Sequence, residues 1–262
     1  MLLARVSLLS LATVMFCACS VAKATPGPPP PCSAECETSG SSKPPNTTSS
    51  GSGGGGGAGG NGQGGGETVT VTGNVEVVNG LAFTTIVAYT KPAFVYGDGL
   101  SGKQIGAEYN GAMFTLEGIA SGDTWFYVGP KDSSDTVLPT YSKQSIPTDK
   151  LVLQVLDQQL LSTIGLSAGL ALSTQQAQIV LRVTDGKKPL AGVSAQSAGA
   201  GLILYDIGAD YSAEAPATNA RGIIILLNQS SSSITLTDST AHTYQVDVRA
   251  DPGSATLLDL VL

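Results

Sequence analysis

Twelve of the sixteen residues from Gly51 to Gly66 are glycine, and no other feature restricts what this chain can fold into so strongly. Glycine loses the most backbone freedom on folding and has no side chain to bury, so such a run cannot join a packed core. Upstream, Pro26 and Pro28–Pro31 lead into Ser/Thr-rich sequence that is equally poor in apolar residues. Residues 19–66 are therefore expected to form a tether, extended where proline dominates and coiled where glycine does. A coil of that length has an r.m.s. span of about 35–40 Å. All folding must come from residues 67–262, enough for two small domains.

Charge narrows the partners. The chain carries 13 Lys and Arg against 20 Asp and Glu, a net charge of −7, with no basic block. Binding to nucleic acid draws on counterion release at clustered cations, so that class is excluded, as is a polybasic grip on anionic lipid. The four cysteines, Cys17, Cys19, Cys32 and Cys36, all precede the foldable part, which must stand on hydrophobic burial and strand pairing. Cys32 and Cys36 lack further metal ligands nearby. In an oxidising compartment they are candidates for a small local disulfide, and neither a metal nor a cofactor is expected.

Residues 1–18 have the parts of a signal peptide: Arg5, then a mainly apolar run of thirteen residues from Val6 to Ala18, too short to span a bilayer as a helix. Phe16-Cys17-Ala18-Cys19 resembles a bacterial lipobox, which implies a lipid on Cys19 and attachment to a membrane. Phe16 and Cys17 depart from the usual pattern. Ser20 resembles the residue found after the cysteine in lipoproteins sent to the outer membrane. The alternative is cleavage at Ala22-Lys23-Ala24, releasing a secreted protein that starts at Thr25.

From Glu67 the pattern becomes that of strands. Thr68–Thr72 alternates at period two, and Gly73-Asn74 separates it from Val75–Val77. Ile86–Tyr89 has the composition of a buried strand. Asn110-Gly111 is a turn before Met113–Leu116, and Asp123–Val128 is an aromatic strand closed by Gly129-Pro130. Leu151, Val155, Leu156, Leu160 and Ile164 have helical spacing, with Thr148 or Asp149 as cap and Gly165 as stop. Strand patterns return at Ile179–Val183, Ile223–Leu227, Ile234–Leu236, Tyr244–Val248 and Thr256–Leu262. The expected fold is mainly β: two small sandwich units, 67–147 and 177–262, joined by a short amphipathic helix within 148–174.

Val183-Thr184-Asp185-Gly186-Lys187-Lys188-Pro189-Leu190-Ala191-Gly192-Val193, with Thr218-Asn219-Ala220-Arg221-Gly222 downstream, resembles the carboxypeptidase-regulatory-like domain. The resemblance implies an Ig- or transthyretin-like sandwich with an accessory, non-catalytic role. Phe114–Ile119 with Gly122-Asp123-Thr124 is similar to the same family, although the Pro-x-x-Gly-Val element is missing there.

Three catalytic-looking strings fail in context. Gly97-Asp98-Gly99-Leu100-Ser101-Gly102 matches a dinucleotide fingerprint, and with Gly102-Lys103 it nearly makes a phosphate-binding loop whose Mg²⁺-holding Ser or Thr is replaced by Gln104, but no helix follows to receive a phosphate in either case. Gly165-Leu166-Ser167-Ala168-Gly169, with Asp185 and His242, has the chain order of a serine hydrolase. A nucleophile elbow must follow a strand and open a helix, whereas this one follows a helix. Asp206, Asp210 and Glu214 fit no calcium loop and are expected to be a solvated loop. Around Trp125, Phe126 and Tyr127, together with Tyr89, Phe94 and Tyr96, strand alternation sends either Phe126 or the Trp125/Tyr127 pair inward. The outward set is a candidate stacking surface, with Trp125 and Tyr127 as its residues.

The expectation is a non-catalytic lipoprotein of the cell envelope, anchored at Cys19, that displays β-sandwich domains for structural use or for binding another envelope protein. The alternative is a carbohydrate-binding adhesion module using the aromatic residues near Trp125. A serine hydrolase built on Ser167 is a remote third.

Overall fold

The computed structural model describes residues 67–146 and 150–262. The signal peptide, Cys19, the tether, Cys32, Cys36 and the proposed caps Thr148 and Asp149 lie outside the described residues.

In chain order the elements are β1 (Thr68–Val78), β2 (Ile86–Ala88), β3 (Ala93–Asp98), β4 (Gln104–Tyr109), β5 (Phe114–Ala120), β6 (Gly122–Pro130), β7 (Thr140–Ile146), β8 (Leu151–Leu156) and α1 (Gln158–Ser167). The second half holds β9 (Ala177–Thr184), β10 (Ser194–Gln196), β11 (Leu202–Asp206), β12 (Tyr211–Ser212), β13 (Ile223–Gln229), β14 (Ser233–Thr237), β15 (Thr243–Asp247) and β16 (Ala255–Val261). The fold is mainly β, with one α-helix among the described residues.

A nine-stranded sheet runs β12-β11-β13-β9-β16-β7-β6-β3-β4. Its central joint is the last strand, β16, which pairs in parallel with both β9 and β7. The described residues from 67 on thus form one compact unit, and strands from both expected sandwich units share a single sheet. Two smaller sheets pack on it: a four-stranded one around β1, and a three-stranded one ordered β10-β14-β15.

Strand alternation explains how both faces are covered. On β9, Ile179, Leu181 and Val183 meet Ile234, Leu236 and Val246 of the three-stranded sheet. On the opposite face, Val180 joins Leu160, Leu161 and Ile164 of α1. β13 behaves likewise, and all seven of its residues are buried. This is why Ile223–Leu227 is a continuous apolar run rather than an alternating one. A third core lies between the β1 sheet and β3, β4 and β6, holding Val75, Leu116, Phe126 and Leu153.

Three local expectations are corrected. Leu151–Leu156 is a strand, paired in parallel with β1, and the helix starts only at Gln158, capped by Asp157. Leu151, Leu153 and Val155 alternate into one core, whereas Leu156, Leu160 and Ile164 face another, so one apolar run serves two periods. Gly73 interrupts no strand: it sits inside β1, where an added Cβ would stand 2.2 Å from the Leu151 carbonyl oxygen. β2 is an exposed edge, with Ile86 and Val87 42% and 44% accessible.

Candidate binding face

On β6, Thr124, Phe126 and Val128 point into the core, so Trp125 and Tyr127 occupy the outward face. β3 does the same, burying Ala93 and Val95 and turning Phe94 and Tyr96 outward. On β7, Thr140 and Ser142 go inward and Tyr141 and Lys143 outward. Register then lines residues up across five strands: Gly106 opposite Tyr96, Tyr96 opposite Tyr127, Tyr127 opposite Tyr141, and Tyr141 opposite Thr256.

The result is an aromatic row. Ring centroids are 6.0 Å apart for Tyr96–Tyr127 and 4.9 Å for Tyr127–Tyr141, with Phe94 extending the row 6.5 Å from Tyr96. The rings recline on the sheet because glycine leaves them room. A Cβ on Gly106 would approach Tyr96 to 2.6 Å, and one on Gly129 would approach the Tyr127 hydroxyl to 2.6 Å.

Cations and carboxylates frame the row. The Arg249 guanidinium lies 5.5 Å from the Trp125 ring and 5.9 Å from that of Tyr141, and donates to Asp98 at 2.9 Å. The Thr256 hydroxyl donates to the Arg249 carbonyl at 2.5 Å, tying that loop to β16. At the other end Lys131 stands 4.9 Å from the Phe94 ring and pairs with Glu108 at 2.8 Å. Tyr141 donates to Asp251 at 2.5 Å. Burial first, and then the Asp251 carboxylate, push the Tyr141 hydroxyl upward in pKa. Burial also raises Tyr127, reinforced by Tyr96. Both rings therefore remain neutral phenols that offer a flat apolar face and a hydroxyl edge. Such a surface suits ring stacking and side-on hydrogen bonding.

Trp125 and Tyr127, the two residues singled out from sequence, sit side by side on this face. Tyr141 and Arg249 were missed because cross-strand register brings in the first from 14 residues beyond Tyr127, and the loop before β16 brings in the second from 122 residues beyond. The alternation of Thr140-Tyr141-Ser142-Lys143 was the available signal for β7.

The hydrolase residues do not assemble. Ser167 ends α1 and spends its hydroxyl on the Ile164 carbonyl. His242 stacks on Tyr244, 4.9 Å away, in the β14–β15 turn, and that sheet lies on the opposite face from α1. Asp185 accepts the Lys187 and Lys188 N–H groups in its own turn. Asp206, expected in a solvated loop, is fully buried and accepts backbone N–H groups of Asn219, Arg221 and Ile223. The two segments that carry the family resemblance dock together: Thr218 Oγ1 accepts the Val193 N–H and donates to the Leu190 carbonyl.

No family model matches the chain, and no curated protein matches it. Solved structures align weakly. The Bacillus anthracis TIE protein is 10% identical over 73% of this chain and 34% of its own, with a TM-score of 0.22. Shaft pilin SpaA of Lactobacillus rhamnosus GG is 10% identical over 73% and 97%, at 0.24. A putative adhesin from Bacteroides ovatus is 6% identical over 68% and 81%, also at 0.24. This chain spans about a third of the TIE protein's length. At these scores the likenesses carry no functional weight.

Proposed function

We infer that this chain is a non-catalytic binding protein of the bacterial cell envelope, exported by residues 1–18 and held by lipid on Cys19. Residues 19–66 act as the tether, and the folded part presents the aromatic face to a ligand. The outward row Phe94–Tyr96–Tyr127–Tyr141 is the observation that carries this reading. Large rings are costly to leave in water, and four of them on one sheet face, framed by Arg249 and Lys131, form a recognition surface.

A glycan is the ligand class favoured within this reading. Reclining rings with hydroxyl edges match the flat apolar faces and equatorial hydroxyls of pyranoses better than they match a bulky side chain. Trp125 is the only tryptophan in the chain, so its emission reports directly on the face. Titration with soluble β-linked oligosaccharides is expected to change that emission, and Tyr127→Ala is expected to abolish the change while thermal unfolding stays cooperative. An unaltered response in Tyr127→Ala rejects the face as the site. Anchoring is tested separately by the intact mass of the membrane-bound protein: an acylated Cys19 at its N-terminus supports it, and a free Thr25 start in the medium rejects it.

A further inference from the structure

The nine-stranded sheet forks. β16 pairs with β7 only from Ala255 to Leu257, opposite Thr140 to Ser142, although β16 continues along β9 to Val261 and β7 continues along β6 to Ile146. Beyond Leu257 and Ser142, two strand edges therefore face each other without partners in the sheet. A third edge borders the same place. β15 is the outer strand of the three-stranded sheet, and its ladder bonds to β14 fall on even-numbered residues, as Val248 N–H to Ser232 and Asp238 N–H to His242 show. Antiparallel ladders alternate, so Thr243, Gln245 and Asp247 direct their N–H and C=O groups away from β14.

These edges enclose a groove of about 590 Å³ floored by Trp125 and Leu260 and rimmed by Lys143 and Asp247. β15 carries no proline, lysine or bulge of the kind that blunts edge strands. The three-stranded sheet covers only the β16 side of the large sheet's face, so one more strand beside β15 would extend that layer over Trp125.

We propose that this notch binds an extended, basic peptide segment of a partner protein by adding it as a strand to β15. Only an extended main chain supplies donors and acceptors in the alternation that Thr243, Gln245 and Asp247 present. The rim decides the charge. Lys143 is paired with Asp123 at 3.4 Å, while Asp247 is exposed and makes no ion pair among the described residues. On an added strand, one side-chain set meets Trp125 and Leu260, and the other stands beside Asp247. Alternating apolar and basic residues fit, over about five to seven positions, the length of β15. The notch adjoins the aromatic row at Trp125, but its β15 edge lies outside that row, and this proposal does not depend on the row's ligand.

The test uses the full chain and a fluorescein-labelled heptapeptide of alternating valine and lysine, read by anisotropy. Saturable binding is expected, weakened at least tenfold when alternate peptide amides are N-methylated. Gln245→Pro removes an outward N–H that the β14 ladder does not use, and is expected to weaken binding at least tenfold with thermal unfolding retained. Asp247→Lys serves as a second variant, expected to weaken the lysine peptide and favour its glutamate counterpart. No binding by the full chain, or equal binding of the N-methylated peptide, overturns the proposal. So does a concentration-dependent dimer that Gln245→Pro dissolves, since a second copy would then be the occupant.

Discussion

Arg249 stacks its guanidinium over Trp125, 5.5 Å from the ring, while the same group holds Asp98 at 2.9 Å. The loop before β16 is thereby fastened onto strands that lie more than a hundred residues earlier. Cation–π contacts at partly exposed sites contribute about 0.5–1 kcal/mol, and a half-exposed ion pair adds a similar or smaller amount. Arg249→Ala is expected to lower unfolding free energy by about 1 kcal/mol and to shift Trp125 emission to the red, as read by urea titration and fluorescence.

Asp206 makes a larger contribution. Its buried carboxylate accepts three backbone N–H groups from the turn that feeds β13. An unpaired buried donor costs about 1–3 kcal/mol. Asp206→Ala should therefore destabilise the protein by about 3–5 kcal/mol in chemical denaturation. Asp206→Asn, which keeps one acceptor oxygen, should lose clearly less.

Gly118 and Gly222 separate backbone strain from crowding. Both have positive φ, +88° and +63°, but a Cβ on Gly118 meets nothing within 4 Å whereas one on Gly222 would stand 2.3 Å from the Val183 carbonyl oxygen. Gly118→Ala is expected to cost about 1 kcal/mol from strain alone. Gly222→Ala should exceed it by about 1–3 kcal/mol, because backbone cannot yield as a side chain can. Thermal melts of the two variants side by side give the difference.

The β14–β15 turn should weaken in acid. Asp238 accepts the Thr240 hydroxyl and the N–H groups of Thr240 and His242, and also the Tyr244 hydroxyl. These bonds, the Thr240 hydroxyl foremost, hold its pKa down to about 2. A depressed carboxylate stabilises the fold above its unfolded pKa of about 3.9 and loses that contribution as pH falls through the folded value. The protection factors of the Thr240 and His242 amides, taken relative to the intrinsic exchange rate at each pH, should fall between about pH 4 and pH 2 and stay constant from pH 5 to 7.

Strand existence was legible wherever a segment has one period and one job. β6, β9, β14 and β15 follow from alternation or apolar runs bounded by turn residues, and Asn110-Gly111 is a turn with Gly111 at φ +95°. Leu151–Ile164 was not legible, because its apolar residues serve a strand facing one core and then a helix facing another. Periodicity sums over both and yields a helix that begins too early. Asp206 was misjudged for a related reason: acidity suggests solvent, and only the N–H groups folded back from residues 219–223 make its burial tolerable.

By itself the sequence determined that residues 67–262 fold mainly as strands and which side chains of each strand share a face, because side-chain alternation is a property of the local backbone. It also marked Trp125 and Tyr127 as neighbours on one side of their strand. The tertiary structure alone decided that β16 lies between β7 and β9 and fuses the two halves into one sheet. Only there did Tyr96, Tyr127 and Tyr141 come into line. Register and strand order depend on contacts between segments far apart in the chain, and no local period encodes them.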